Sequence, residues 1–185
     1  MLDASDILQL YRTRGDIEYA DEGVSQIVHG WQCAQLALQA GAPASLQLAA
    51  WLHDIGHLFG QLNGTPTLQG IDDCHQDTGA SLLQPLWGDA VAEPVRLHVA
   101  AKRYLVSAHP QYLTRLSGDS QRSLALQGGP MSEAECADFL SLPFAQAAQK
   151  LRGWDDLGKR ADWFARDREH ALDELQKLMH QVSQN

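Results

Sequence analysis

The sequence predicts an all-α domain, on three observations. Apolar residues recur at steps of three and four along most of the chain, glycines and prolines punctuate those stretches, and no segment shows the strict two-residue alternation of a half-buried strand. At 185 residues, 44% hydrophobic and 20% charged, the chain has the size and composition of one packed domain, and 1–185 is read as a single one.

The elements follow in order. Residues 3–14 carry Ile7, Leu8 and Leu10 on a short stripe that stops at Gly15, and a polar loop fills 16–23. From Val24, Ile27, Val28, Trp31, Ala34 and Leu38 form one helical face up to Gly41. Pro43 opens the next helix, which runs through Leu46, Leu48, Ala49 and Leu52 to about Ile55. Gly56, Gly60, Gly64 and Pro66 then read as a loop. Helices over 73–86 and 91–106 are separated by Gly88, with Pro94 placed in the first turn of the second. Pro110 ends that helix; 110–126 reads as broken helix, Gln127-Gly128-Gly129-Pro130 as a turn, and Ser132 with Glu135 as a capping box. Helices over 143–152 and 161–182 complete the chain, with no internal repeat.

Charge narrows the partners. Lys and Arg number 14 against 23 Asp and Glu, a net −9 that is the wrong sign for tracking a phosphate backbone, so no nucleic-acid partner is expected. No apolar run approaches the roughly 18 residues of a membrane span, so no membrane partner is expected either. Met1-Leu2-Asp3-Ala4-Ser5-Asp6 lacks the basic and apolar regions of a secretory leader, and a soluble, cytoplasmic protein is expected. Cys33, Cys74 and Cys136 are odd in number and form no C-x-x-C pair, which disfavours both a disulfide framework and a thiolate zinc site.

The chemistry-bearing string is Trp51-Leu52-His53-Asp54-Ile55-Gly56-His57. A His-Asp pair at a helix end by itself needs nothing beyond capping and charge pairing. Spacing adds more: His29 lies 24 positions before His53, His75 lies 22 after it, and His98 another 23 on, one histidine on each of four helices. Bundle sites are assembled in this way, from inward-facing side chains on several helices. A late carboxylate, Asp155 or Asp156, would complete the set. Imidazole with carboxylate suits Fe, Mn, Co or Zn, and the missing thiolates argue against a closed structural zinc site. Four imidazoles and two carboxylates cannot saturate two octahedral ions, so reactive positions would stay open. Lys102, one helical turn after His98, puts a cation on the same face and favours an anionic ligand. The five tryptophans are assigned to packing, Cys33 to a small buried packing residue, and His109, His170 and His180 to the solvent side.

The pattern His29, His53-Asp54, His75, His98, Asp155 resembles the dinuclear HD-domain superfamily and, more closely, its phosphonate-degrading diiron oxygenases. The likeness is carried also by Tyr19-Ala20-Asp21-Glu22 ten positions before His29, by the run from His98 to Tyr104, by the segment from Ser120 to Met131, and by Arg152-Gly153-Trp154-Asp155-Asp156. It implies an HD-domain helical bundle with two iron ions, Fe(II)/Fe(III). One would be held by His29, His53, Asp54 and Asp155, the other by Asp54, His75 and His98, with Asp54 bridging; only the family register favours Asp155 over Asp156. It further implies cleavage by O2 of the C–P bond of a small 1-hydroxy-2-aminoethylphosphonate or an N-methylated analogue, yielding phosphate and glycine or a glycine derivative. His57, Lys102, Ser120 and Arg152 would grip the phosphonate. Tyr19 would cover a metal position until Glu22 engages the substrate's amino group. A nicotinamide or flavin is not required, and no G-x-G-x-x-G fingerprint is present. The competing readings are an HD-domain phosphohydrolase of a small phosphate ester or nucleotide, and a helical module whose metals merely staple the fold.

Overall fold

The computed structural model describes residues 2–18, 23–59 and 65–184, and they are predominantly helical. The elements are α1 (Ala4–Arg14), α2 (Gln26–Gln39), α3 (Ala44–Leu52), α4 (Ile55–Phe59), α5 (His75–Trp87), α6 (Asp89–Ala108), α7 (Gly118–Leu126), α8 (Glu133–Ser141), α9 (Ala145–Leu157) and α10 (Arg168–Ser183), with 3₁₀ turns at Pro66–Gln69 and Pro110–Arg115. No strand occurs among the described residues, and Glu18 and Ser25 make one isolated bridge.

The α3 helix is the axis of the bundle. Its sequence is apolar all round, which fits a helix surrounded by others, and Leu48, Ala49, Ala50 and Leu52 are fully buried. Helices α2, α6, α9 and α10 pack around it, α5 joins α6, and α4 lies against α5. Local signals set the ends. Asp3 caps α1 and Ser132 caps α8, each in a reciprocal capping box, as expected for Ser132 and Glu135. Gly41, at φ +69°, turns α2 back into α3.

Four boundaries differ from the sequence reading. The α3 helix stops at Leu52 and a separate α4 contains Gly56, which therefore does not open a loop. Pro94 is the sixth residue of α6, well past its first turn; the carbonyl it cannot serve belongs to exposed Ala90, where water can take the place of the lost bond. The α9 helix continues through Gly153 to Leu157 because buried Leu151, Trp154 and Asp155 prolong its inner face. The α10 helix starts only at Arg168, capped by Asp167, while the irregular 158–167 segment lays Trp163 and Phe164 edge-on against Trp31.

Gly56 matters for close approach. A Cβ there would sit 2.1 Å from the backbone oxygen of His75 and 2.7 Å from its carbonyl carbon, so α4 and the start of α5 touch through their backbones. Gly56→Ala is expected to destabilise the fold by about 1–3 kcal/mol in urea unfolding, because backbone must move. Gly153→Ala, where a Cβ would meet nothing within 4 Å, is expected to gain up to ~1 kcal/mol from helix propensity.

Candidate active site

Four histidines meet at the centre of the bundle from four elements: His29 on α2, His53 as the C-terminal cap of α3, His75 at the head of α5 and His98 within α6. Each is fixed through Nδ1. The acceptors are the carbonyls of Gly158 for His29 (2.8 Å), Ala50 for His53 (2.9 Å) and Val95 for His98 (2.6 Å), and the Asp73 carboxylate for His75 (3.0 Å). These oxygens accept only, so Nδ1 carries a proton on every ring and Nε2 is the atom turned inward, where it can ligate a cation once it is unprotonated.

The Nε2 atoms fall into two pairs, His29 with His53 at 3.2 Å and His75 with His98 at 3.1 Å. Bare lone pairs at that separation repel. A cation about 2.1 Å from both nitrogens at a near-right angle would place them about 3 Å apart, which converts the repulsion into ligation. Asp54 stands between the pairs, with Oδ1 3.4 Å from His53, 3.6 Å from His75 and 3.8 Å from His98, and Oδ2 3.6 Å from His29. Asp155 approaches the first pair alone, 3.4 Å from His29 and 3.8 Å from His53. Asp156 turns away to Arg152 and Tyr112. The donor set therefore fits two cations, one between His29, His53, Asp54 and Asp155, the other between Asp54, His75 and His98. Buried Cys33 approaches the His29 ring at 3.8 Å but gives its S–H to the Trp154 carbonyl. Burial, with Asp155 and Asp54 nearby, pushes its thiol well up, consistent with a packing role.

The cluster's electrostatics prepare it for cations. Burial opposes charge on Asp54, yet the imidazoles of His53, His57 and His75 hold it far below the usual carboxylate range. Burial likewise opposes charge on Asp155, and Arg152 and Lys159 overcome it. His98 is held well below its ordinary value by burial and by His75 and His53, and His75 is lowered by burial and His57. Burial would lower His53 too, but Asp54 and Asp155 raise it to about 9.

The centre opens into a small cleft, lined also by Gln26, His57, Lys102, Ser120, Arg152 and Lys159. Lys102 is buried on α6; its Nζ donates to Ser123 Oγ at 2.7 Å, and burial with Arg152 nearby pushes its ammonium down to about 7. His57 gives Nδ1–H to Asp73 at 2.6 Å, with Nε2 4.0 Å from Asp54. Arg152 is buried, so it is no surface cation. Its Nη1 lies 2.5 Å from Asp155, its Nη2 meets Asp156 and, at 3.3 Å, Ser120 Oγ, and its Nε reaches Tyr112 OH. Its fork thus aims Asp155 at the first histidine pair. Tyr19 and Glu22 lie outside the described residues.

Sequence reasoning overlooked four contributors: Asp73, Tyr112, Ser123 and Lys159. Asp73, two residues before His75, carried a readable signal, since imidazole ligands are commonly backed by carboxylates. Lys159, four residues after Asp155 and just past the Gly158 cap of α9, was readable as an ion pair, and its Nζ lies 3.8 Å from that carboxylate. Nothing local marks Tyr112 or Ser123. Trp31, Trp51 and Trp154 are buried as assigned, whereas Trp87 and Trp163 are half-buried at the rim. His109 and His180 are exposed, and His170 pairs with Glu174.

No family model matches the chain. It is 44% identical to hydroxymethylphosphonate dioxygenase of Gimesia maris, over 83% of this chain and 76% of that one. It is 38% identical to (1-hydroxy-2-(trimethylamino)ethyl)phosphonate dioxygenase (glycine-betaine-forming) of Leisingera caerulea, over 92% of this chain and 87% of that one. The chain belongs to the phosphonate dioxygenases. Membership in a family of dioxygenases makes it an oxidoreductase, which sets aside the phosphohydrolase and the metal-stapled module. An uncharacterized protein of Acanthamoeba polyphaga mimivirus is 35% identical over 83% of the chain and 71% of its own length. The His/Asp clusters give this phosphonate dioxygenase a place for metal, and none of its described helices is long and apolar enough to cross a membrane.

Arg152→Met is expected to cost about 3–5 kcal/mol in urea unfolding, because it strands two partly desolvated carboxylates. Lys150→Met, on the exposed face of the same helix, is expected to change stability by less than about 0.5 kcal/mol.

Proposed function

We propose that this phosphonate dioxygenase is a cytoplasmic single HD domain over 1–185 that uses two iron ions, Fe(II)/Fe(III), and O2 on a small 1-hydroxy-2-aminoethylphosphonate or its N-methylated analogue. Phosphate and glycine, or a glycine derivative, are the products. The observation that carries this reading is the placement of two Nε2 pairs, 3.2 and 3.1 Å apart, on either side of one carboxylate. His29, His53, Asp54 and Asp155 would hold one ion, and Asp54, His75 and His98 the other. When bound, the irons supply the redox chemistry with O2 that breaking an unactivated C–P bond requires. For the primary amine, substrate plus O2 equals glycine plus phosphate atom for atom, so no outside reductant is consumed.

The chain's own residues bind and orient. A phosphonate brings oxygens that can replace Ser123 Oγ as the acceptor for Lys102 Nζ, in a pocket where charge-assisted bonds are strong. Ser120 Oγ, already met by Arg152 Nη2, can turn its own hydroxyl proton toward the same oxygens. Lys102, Arg152 and Lys159 line the cleft against Asp54, Asp119 and Asp155, and bound metal cations would tip that balance toward holding a dianion in a protein of net charge −9. That net charge disfavours a nucleic-acid partner. Val24 and Val99 supply apolar wall against water. Tyr19 and Glu22 are assigned the cover and the amine-reading carboxylate. Both named relatives take a phosphonate hydroxylated on the carbon that bears phosphorus, and that hydroxyl is the feature carried over to this chain.

Phosphate release is expected from 2-amino-1-hydroxyethylphosphonate in air and not under argon, with two irons per chain by metal analysis. Asp54→Ala should lower both iron positions together. Phosphate release that persists without oxygen would overturn the reading. A second expectation follows from Lys102, whose ammonium holds its proton below about 7 and loses it as pH rises. Substrate KM should therefore rise between about pH 6 and 8, beyond the trend left in Lys102→Met, which reports the phosphonate's own titration.

A further inference from the structure

We infer that Asp73 is a positioning residue that fixes two imidazoles of the active site at once, His75 at the second metal position and His57 on the cleft wall. The inference rests on the two-metal reading above. Its Oδ1 accepts from His75 Nδ1 at 3.0 Å and its Oδ2 accepts from His57 Nδ1 at 2.6 Å. The two rings it holds lie nearly parallel, with centroids 3.9 Å apart and planes 28° from each other. One carboxylate thus clamps a stacked pair, and with only acceptors to offer it requires Nδ1–H on both rings. Both Nε2 atoms are thereby released, that of His75 toward His98 and that of His57 toward the cleft and Asp54.

The backbone is built for this clamp. A carboxylate two residues before a histidine reaches the ring only if the chain folds back between them. Cys74 makes that fold in the left-handed region, at φ +48° and ψ +37°, a conformation that costs a non-glycine residue free energy and persists where its surroundings enforce it. On the other side, the His75 backbone lies against Gly56, whose missing Cβ makes the room that the His75 carbonyl occupies. The ring is therefore fixed at its backbone by Gly56 and at Nδ1 by Asp73. The other three histidines use carbonyls in this role, so Asp73 is the charged backing in the set, and a carboxylate partner raises the basicity of the ligand it holds. A substrate that touches His57 would press on the same carboxylate that orients His75, which joins the cleft wall to the second metal position through one side chain.

Asp73→Asn is the sharp test. A carboxamide has one acceptor and one donor, so its NH2 would face a ring N–H and force His57 or His75 to reverse its tautomer, turning the lone pair away. Iron-loaded parent, Asp73→Asn and Asp73→Glu are incubated with graded EDTA and their retained iron is counted. One of the two irons in Asp73→Asn is expected to leave at about 10–100-fold lower chelator than in the parent, the other to stay as in the parent, and Asp73→Glu to fall between. Parent-like retention of both irons in Asp73→Asn, with the Nδ1–H signals of His57 and His75 also as in the parent, overturns the inference, as does equal loss of both irons with unchanged circular dichroism. A second measurement does not depend on that variant folding. In the zinc-loaded parent, nitrogen-resolved proton NMR should show Nδ1–H signals from both His57 and His75, and His57→Gln should remove one and shift the other. Absence of either signal in the parent overturns the clamp. Failure of the two-iron reading would be seen separately, as fewer than two irons in the parent before any chelator is added.

Discussion

A single ionised carboxylate, Asp54, is the constraint to which the rest of the molecule answers. Its side chain is only 16% exposed and lies within 4.0 Å of the inner nitrogens of five histidines. Such a charge is tolerable only if positive or polarisable groups surround it in fixed positions. The bundle meets that condition by spending helix ends on it. The α3 helix stops one residue short of His53, so that His53 and Asp54 project from a turn, and α5 begins on His75. The long α6 carries His98 and, one turn on, Lys102 to the same face. Packing and electrostatics are one problem here: the helices can approach only as closely as the charged centre permits, and the centre keeps its geometry only while they stay in contact.

Close approach depends on residues without side chains. Gly56 lets α4 rest on the His75 backbone, and Gly30, beside His29, lets α2 rest on Trp51, whose carbonyl would lie 2.6 Å from a Cβ at that position. Gly158, which holds His29 through its carbonyl, has Cys33 Sγ 2.6 Å from where its Cβ would be. Each of these glycines lies within a few residues of a central histidine or in contact with one. Three of the four closest glycine approaches among the described residues thus lie at the site, Gly15 against Tyr11 being the fourth, and there a displacement of a few tenths of an ångström changes which lone pairs converge.

The helical class, the capping box at Ser132 and the convergence of His29, His53, His75 and His98 on Asp54 were legible because each is written in local spacing. Period and capping chemistry act over three or four residues, and a histidine flanked by Ile27, Val28 and Trp31 declares its burial. What failed to be legible was tertiary in origin. Gly56 and Gly153 look alike in a sequence; one serves a backbone contact with a distant residue and the other is tolerated inside a helix whose face stays apolar. Arg152 reads as a substrate cation because its fork suits a phosphonate, and it does line the cleft; what stayed illegible is that the same fork also meets the two carboxylates three and four residues later on α9. Tyr112 reaches Asp156 from a 3₁₀ turn far off in the chain, with no local pattern to announce it. Asp73 was legible in principle, but its meaning required knowing that the chain folds back at Cys74.

The two histidine pairs are unequal, and the inequality has a direction. Around His29 and His53 stand two carboxylates, and the second, Asp155, is tied by Arg152 at 2.5 Å and Lys159 at 3.8 Å, so that corner is densely charged and braced by two cations. Around His75 and His98 there is Asp54 alone, with Asp73 behind the ring and not beside the nitrogen. A cation at the first position meets more anionic ligands and a stiffer cage; one at the second keeps more of its coordination sphere for groups arriving from the cleft. The cations that face the cleft, Lys102 above all, sit on α6 with His98. On the two-metal reading, an anion seated against Lys102 would be brought to the less crowded position, while Arg152 and Lys159 brace Asp155 at the other. In that arrangement the crowded half would supply rigidity and the sparse half access, with Asp54 facing both histidine pairs.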